Sequence, residues 1–193
     1  MNKTHENILN SAIKLILENG YSGTSIQMIA ENVGVSKSTV IHYFKNKEGI
    51  LLSVLNNFLP TAIENFKSDL ENKTLSGFEK LRRFIRFHMK LISDSGDILT
   101  ININETRYLS KKSKSILQKH QKDYEGMVAK IIYQILDENE KNSKDMNPMI
   151  LTKAVIGMCN SAMIWFSAEG LFSVDDISEQ LFELVAIDGI RAI

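Results

Sequence analysis

The segment Thr24–Lys47 constrains the fold more than any other part of the chain. Four apolar residues recur there at helical spacing and share one face: Ile26, Ile29, Ala30 and Val33. Thr24 is predicted to cap this short helix, with Gln27 completing a capping box. Gly34 is predicted to end it, because glycine adopts a positive φ at little cost. A tight turn then leads into a second short helix and a longer third one.

The second helix is predicted to run from Lys37 to about Phe44, with Ser36 as its cap. Its inner face is expected to carry Val40, Tyr43 and Phe44, and its outer face Lys37, Ser38, Thr39 and His42. Polar side chains of this kind suit a phosphate or a base edge. The layout is that of a helix-turn-helix, which places one helix end in the major groove of DNA. A plain helical hairpin is the alternative, but the short turn and double capping argue against it.

This stretch resembles the DNA-binding domain of the tetracycline-repressor (TetR) family of bacterial regulators. The matching residues are Gly20-Tyr21, Thr24, Ile29-Ala30, Gly34-Val35-Ser36-Lys37, Thr39, Tyr43-Phe44 and Lys47-Glu48. A first helix over about Thr4–Asn19 also fits the family pattern. The resemblance covers the N-terminal part of the chain up to about Ile50, and beyond it only the length and the helical plan agree.

The resemblance implies a set of DNA-binding residues. The positions expected to touch the DNA backbone are Thr24, Ser36, Thr39, Tyr43 and Lys47, and those expected to face the groove are Lys37, Ser38 and His42. The chain departs from the family pattern at Ser38, where glycine is common, and at Ile41, where an aromatic is common. Isoleucine can still pack there, but it would not make the DNA contact of an aromatic ring. The operator sequence therefore does not transfer from the family.

Charge limits how this domain could read bases. The whole chain has a formal net charge of zero, and its first fifty residues hold five lysines against four glutamates. No arginine precedes Arg82, so the bidentate arginine–guanine contact is not available from this segment. Base readout is expected to depend on Lys37, on methyl contacts and on DNA shape, with helix N-termini favouring phosphate.

The remaining sequence predicts an all-α fold with about nine helices. An N-terminal three-helix, helix-turn-helix DNA-binding domain is expected over residues 1–47, and a helical ligand-binding and dimerisation domain over 48–193. Beyond the motif, helices are predicted from residue 46 onward with a kink or break at Pro60, then at about 75–93, 98–109, 111–139, 148–169 and 174–191. The polar stretch 137–147 is predicted to be a loop.

The last two predicted helices, at about 148–169 and 174–191, are apolar on most sides. Such helices need more than one neighbour to bury them, and a homodimer would supply it. A dimer also places two recognition helices about one DNA turn apart, as a palindromic operator requires. Family resemblance implies the same interface.

A small-molecule effector is expected between the middle helices. Its candidate contacts are Phe84, Phe87, His88, Met89, Leu91, Ile103, Tyr108, Tyr124, Met127 and Trp165, although such stripes are commonly plain core. Four segments loosely resemble regulators that sense fatty acyl-CoA: 105–109, 124–125, 165–170 and 175–177. This resemblance adds Arg107 to the candidate effector contacts. The hypothesis is a long, largely apolar effector such as an acyl thioester. Arg82, Arg83 and Arg86 could bind phosphates or form a solvated face.

Other classes of function are disfavoured. The four histidines (His5, His42, His88 and His120) lack metal-ligand spacing, and no catalytic motif is present, so no enzyme, metal or cofactor is expected. The single Cys159 is expected to be buried, and the absence of a signal peptide or membrane span predicts a cytoplasmic protein. The sequence thus predicts a ligand-responsive regulator, a repressor by the family's default. The alternatives are a multidrug-responsive regulator, for which Glu105 is the candidate buried carboxylate, and a helical protein-binding adaptor.

Overall fold

The computed structural model describes residues 3–139, 146–167 and 169–186, and within them the secondary structure is helical. The α-helices are α1 (Lys3–Gly23), α2 (Ile26–Val33), α3 (Lys37–Phe44), α4 (Lys47–Asn56), α5 (Phe58–Glu71), α6 (Gly77–Asp94), α7 (Gly96–Glu105), α8 (Lys111–Glu138), α9 (Pro148–Trp165) and α10 (Val174–Val185). A 3-10 turn at Thr106–Tyr108 joins α7 to α8. The all-α prediction is confirmed. The described residues form one α-helix more than expected, because the predicted linking helix is divided at Asn57 into α4 and α5. The break therefore comes before Pro60, which lies in the first turn of α5.

Two predicted features differ from the structure at the first short helix. Ser25, not Thr24, caps α2, and its side chain accepts a hydrogen bond from the Met28 amide at 3.1 Å. The Thr24 hydroxyl is already used, since it donates to the Leu15 and Gly20 carbonyls at 2.9 Å each. Because Thr24 completes the end of α1, the extended cap residue comes one position later. The predicted capping box with Gln27 is therefore wrong.

The chain forms two compact units. Unit 1 contains the described residues up to Pro60 together with Asp97–His120, and unit 2 contains Thr61–Gly96 and the described residues from Gln121 onward. Unit 1 thus combines the helix-turn-helix with α7 and the first part of α8. The predicted boundary after residue 47 follows the sequence motif, whereas the compact units follow long-range packing.

The core of unit 1 explains why α7 belongs to it. Ile101 and Leu109 are buried in the same apolar cluster as Ile8, Val40 and Leu51. Apolar residues from α1 to α4 cannot cover one another completely, and two residues more than forty positions later in the chain complete the cluster. The segment that carries Ile101 and Leu109 therefore belongs to unit 1 because it buries apolar side chains in the core of that unit.

Hydrogen bonds also attach the start of α8 to the rest of unit 1. The Glu48 carboxylate accepts hydrogen bonds from the Ser110 amide at 2.9 Å and from the Ser113 hydroxyl at 2.6 Å. These bonds, the Ser113 hydroxyl foremost, lower the pKa of Glu48 to about 2. Glu48 thereby satisfies the Ser110 amide, which the start of α8 leaves unpaired, and also the Ser113 hydroxyl in the first turn of that helix.

Unit 2 is built around α6, which buries a continuous stripe that includes Leu81, Phe84, Ile85 and Met89. The start of α6 lies very close to α8. A Cβ at Gly77 would come within 2.8 Å of the Ile135 backbone nitrogen, so only glycine fits there. The Gly77 amide also donates to the Glu138 carboxylate at 2.8 Å.

Candidate nucleic-acid interface and effector site

The N-terminus of α3 carries a cluster of exposed hydroxyl groups. Gly34 adopts the left-handed conformation (φ 77°, ψ 33°) that ends α2, and two residues later Ser36 caps α3. The Ser36 oxygen lies 2.7 Å from the Ser38 hydroxyl and 2.8 Å from the Thr39 hydroxyl, and it accepts from the Thr39 amide at 3.1 Å. Hydroxyls fixed at a helix N-terminus are suited to bind a phosphate.

Helix α3 has a clear division of faces. Val40 and Phe44 are buried, Thr39 and Tyr43 are half-buried, and Lys37, Ser38, Ile41 and His42 are exposed. The predicted outer residues therefore share one accessible surface. The Tyr43 ring lies against His5 (ring centroids 5.9 Å apart) and against His42 (5.6 Å).

Thr24 and Lys47 serve the structure of unit 1 itself. Thr24 is buried, and the Lys47 ammonium donates to the Tyr21 and Thr24 carbonyls at 2.7 and 2.8 Å. The same ammonium lies 4.3 Å from the centre of the Tyr21 ring. These contacts brace the junction between α1 and α2. The accessible surface of α3 is formed by Lys37, Ser38, Ile41 and His42.

A strained turn fixes the other end of α3. Lys45 has φ 65° and ψ −50°, and the Asn46 amide bonds to the Phe44 carbonyl at 2.8 Å, which defines a γ-turn. Asn46 then caps α4 by accepting from the Gly49 amide at 2.8 Å. A Cβ at Gly49 would lie 2.0 Å from the Phe44 carbonyl oxygen, so this turn requires glycine.

Three candidate effector residues of unit 2, Phe84, Tyr124 and His88, form a buried cluster around the imidazole of His88. Its Nδ1 lies 2.9 Å from the Tyr124 hydroxyl and its Nε2 lies 3.0 Å from Asn160 Oδ1. The Phe84 ring packs against both His88 and Tyr124, at 5.6 and 6.0 Å between ring centroids. Burial lowers the pKa of His88 to about 4, so the imidazole is neutral at pH 7.

Sequence reasoning missed two members of this region. Asn160 completes the hydrogen bonding of His88, and Phe66 packs edge-on against Phe84 at 5.8 Å. Phe66 also contacts Phe87, at 5.2 Å between ring centroids. No local pattern could have found Asn160, because it lies on α9, far from His88 in the sequence. Cys159 is buried as expected, and burial raises the pKa of its thiol to about 12.

The other effector candidates are divided between the units. Met89 and Met127 are buried in unit 2, and Trp165 is 53% exposed at the end of α9. Ile103, Arg107 and Tyr108 belong to unit 1. There the Tyr108 ring packs on the Tyr21 ring, with 5.1 Å between ring centroids.

Each of the three arginines on α6 has an acidic partner within unit 2. Arg82 lies 3.2 Å from Glu179, Arg83 lies 2.7 Å from Asp69, and Arg86 lies 2.9 Å from Asp175. All three arginines are more than half exposed, so these pairs contribute little stability. Exposed ion pairs of this kind are typical of a solvated face.

Glu105, the candidate carboxylate for a cationic effector, is buried in unit 1 beside Gly20. Within the described residues, no group of histidine, cysteine and acidic side chains could hold a metal ion. None of the helices within the same residues has the length and the apolar character that a membrane span requires.

Comparisons with known proteins agree with this geometry. Residues 8–54 match the family model described as bacterial regulatory proteins of the tetR family, and residues 74–187 match that of the tetracyclin repressor-like C-terminal domain. The chain is 25% identical over 186 residues to the fatty acid metabolism regulator protein of Bacillus subtilis (strain 168), covering 95% of this chain and 94% of that protein.

Two solved structures share the fold along nearly the whole chain. The regulator FadR from Bacillus subtilis, in complex with stearoyl-CoA, has a TM-score of 0.80 and 24% identity, covering 96% of this chain and 98% of the other. AibR, in complex with isovaleryl coenzyme A and operator DNA, has a TM-score of 0.79 and 22% identity, covering 94% and 97%. The match of the C-terminal model to more than half of the chain, joined to the helix-turn-helix match, shows that this protein belongs to the TetR family of transcriptional regulators.

Proposed function

We propose that this regulator binds a palindromic operator as a homodimer, with the outer surface of α3 in the major groove, and that an acyl-CoA-type effector releases it. The exposed hydroxyl and amine groups at the start of α3 carry the first part of this proposal. Ser36, Thr39 and Tyr43 bind the DNA backbone, and Lys37, Ser38 and His42 face the bases. Thr24 and Lys47, which were expected at the backbone, hold α1 and α2 in position beside it.

Salt dependence tests the DNA contacts. Lys37→Ala removes a positive charge from the DNA-facing surface of α3, so it is expected to weaken binding to duplex DNA and to reduce the slope of log affinity against log salt by up to about 1. Lys90→Ala is the matched control, because Lys90 is an exposed lysine on α6 in unit 2. Equal slopes for the two variants would contradict the assignment, and a protein that binds no duplex DNA would favour the adaptor alternative.

The dimer is proposed to form through α9 and α10. Both helices and the segment between them expose large apolar side chains: Met149, Ile150, Ile164, Trp165, Leu171, Phe172 and Leu184. Ile164 is 91% exposed and Leu171 is 96% exposed. Soluble monomers rarely expose large patches of apolar side chains. Burying this surface against a second copy would satisfy it, and members of the family dimerise.

Sedimentation velocity tests the interface. Ile164→Asp is expected to convert the dimer to monomer, because it would bury a charge in an apolar contact. Ile103→Asp is the matched control, since Ile103 is also exposed, at 61%, but lies in unit 1. An Ile164→Asp variant that remained dimeric would place the interface elsewhere.

The effector proposal is based on the His88 cluster and on the relatives. A buried neutral imidazole with two hydrogen-bonding partners, packed against the Phe84 ring, is a polar site within an apolar region. The Bacillus subtilis relative is named for fatty acid metabolism, and both solved neighbours contain acyl-CoA molecules. An effector releases DNA only by binding the released conformation more tightly.

Thermal shift and DNA release across a chain-length series of acyl-CoA test this effector class, with free coenzyme A and free fatty acids as controls. We expect one range of chain lengths to raise the melting temperature and to lower DNA affinity. Tyr124→Phe should change the response, and Tyr133→Phe, an exposed tyrosine on the same helix, should leave it unchanged. No shift with any acyl-CoA, together with release by cationic drugs, would favour the multidrug alternative.

A further inference from the structure

We infer that Ile41 is a specificity-determining residue that reads the 5-methyl group of a thymine in each half-site of the operator. The inference rests on the proposed placement of α3 in the major groove. It assigns a base contact to a position where the sequence alone predicted that the family's aromatic contact with DNA is missing.

The first step is where Ile41 lies. Its side chain is 41% exposed, and helical spacing puts it beside Lys37 and Ser38, four and three residues earlier. Both neighbours are exposed. Ile41 therefore lies on the outer surface of α3, beside the polar groups that would hold the DNA.

The second step is that folding does not need an isoleucine here. Val40 is fully buried and Phe44 is 5% exposed, so these two residues attach α3 to the core of unit 1. Isoleucine is β-branched and offers no advantage in helix propensity over many polar residues. A single exposed apolar residue is common on protein surfaces, and its meaning here comes from its position among DNA-facing groups.

The third step is the chemistry of the groove. Of the groups that the four base pairs present in the major groove, the C5-methyl of thymine is the apolar one, and aliphatic side chains recognise it by contact. α3 carries no arginine for a bidentate guanine contact. An aliphatic side chain on this surface therefore matches thymine, whereas cytosine carries only a hydrogen at C5.

Removing single methyl groups from the DNA tests the inference. Operator duplexes are selected from a random pool with the wild-type protein, and each thymine is then replaced in turn by deoxyuridine, which lacks only the methyl group. Fluorescence anisotropy is expected to show one thymine per half-site whose replacement weakens wild-type binding about fourfold, the value of one buried methyl-sized group.

Variants make the result specific to Ile41. For Ile41→Ala, thymine and deoxyuridine should bind equally at that position, while Ile41→Val should retain part of the difference. Leu17→Ala is the matched control, since Leu17 is an exposed aliphatic residue of α1 and 37% exposed. It should keep the full fourfold effect, and thermal melts should confirm that all three variants fold.

The outcomes separate this inference from the proposed function. Specific binding with no methyl-sensitive thymine, or with a sensitivity that Ile41→Ala leaves unchanged, would overturn the role of Ile41 while leaving the regulator intact. Failure to select any duplex would overturn both.

Discussion

The two candidate sites of this protein are held together in opposite ways. At the start of α3, Ser36 bonds to Ser38 and Thr39, which are two and three residues away in the sequence. In unit 2, His88 bonds to Tyr124 and Asn160, which lie 36 and 72 residues away. The first site is assembled by one helix and its cap, and the second requires three helices to pack. A surface for DNA can therefore be specified locally, whereas a buried site depends on the whole unit.

The largest effect is expected for a substitution that tests the rigidity of the turn between α3 and α4. Gly49→Ala places a methyl group 2.0 Å from the Phe44 carbonyl, so we expect the free energy of unfolding to fall by about 3 kcal/mol. Gly126→Ala is the control, because nothing lies within 4 Å of its added Cβ in α8 and alanine favours a helix by about 0.5–1 kcal/mol. Urea unfolding measures both, and a neutral Gly49→Ala would show that the α3–α4 turn is adaptable.

The next prediction concerns the buried site. The folded protein holds the pKa of His88 at about 4, below its ordinary value of 6.5, so the neutral form stabilises the fold above pH 6.5. That stability is lost as the pH falls from 6.5 to about 4, with a total on the order of 3 kcal/mol. Unfolding free energies of wild type and His88→Gln across this range should converge at low pH. Parallel curves would show that another group causes the pH dependence.

Helix caps allow both regions to be compared with one kind of substitution. Ser36→Ala removes the cap of α3, and Ser173→Ala removes the cap of α10, where Ser173 accepts from the Asp176 amide at 3.1 Å. Each change is expected to cost about 1 kcal/mol of stability. Only Ser36→Ala should also weaken DNA binding, which anisotropy would measure. Equal DNA affinities for the two variants would mean that the Ser36 hydroxyl serves the helix alone.

The last expected effect, no larger than that of a helix cap, concerns the strained turn. Lys45 has a positive φ, which glycine adopts without penalty, so Lys45→Gly should be more stable than Lys45→Ala by about 1 kcal/mol. Both variants remove the same charge, and their difference therefore isolates the contribution of the backbone. Thermal unfolding measures it, and an alanine variant as stable as the glycine variant would mean that the turn relaxes.

The sequence predictions were accurate for features that depend on residues close together in the chain, and less accurate for features that depend on distant residues. The helix-turn-helix, the Gly34 turn and the Ser36 cap were all predicted, because each depends on residues within a few positions of one another. The Thr24 cap was wrong because Leu15, nine residues earlier, accepts the hydrogen bond from its hydroxyl. His88, Phe84 and Tyr124 were named as candidates from residue type alone, whereas their partner Asn160 was missed.

By itself the sequence determined the helical class, the recognition motif and the resemblance to a family, since these depend on periodicity, capping residues and spacing that the chain carries locally. Only the tertiary structure decided which residues share a core. It placed Ile101 and Leu109 in the core of the DNA-binding unit, paired the α6 arginines with acidic residues and enclosed His88 between Tyr124 and Asn160. Burial and long-range hydrogen bonding depend on contacts between distant segments, which a local sequence pattern does not encode.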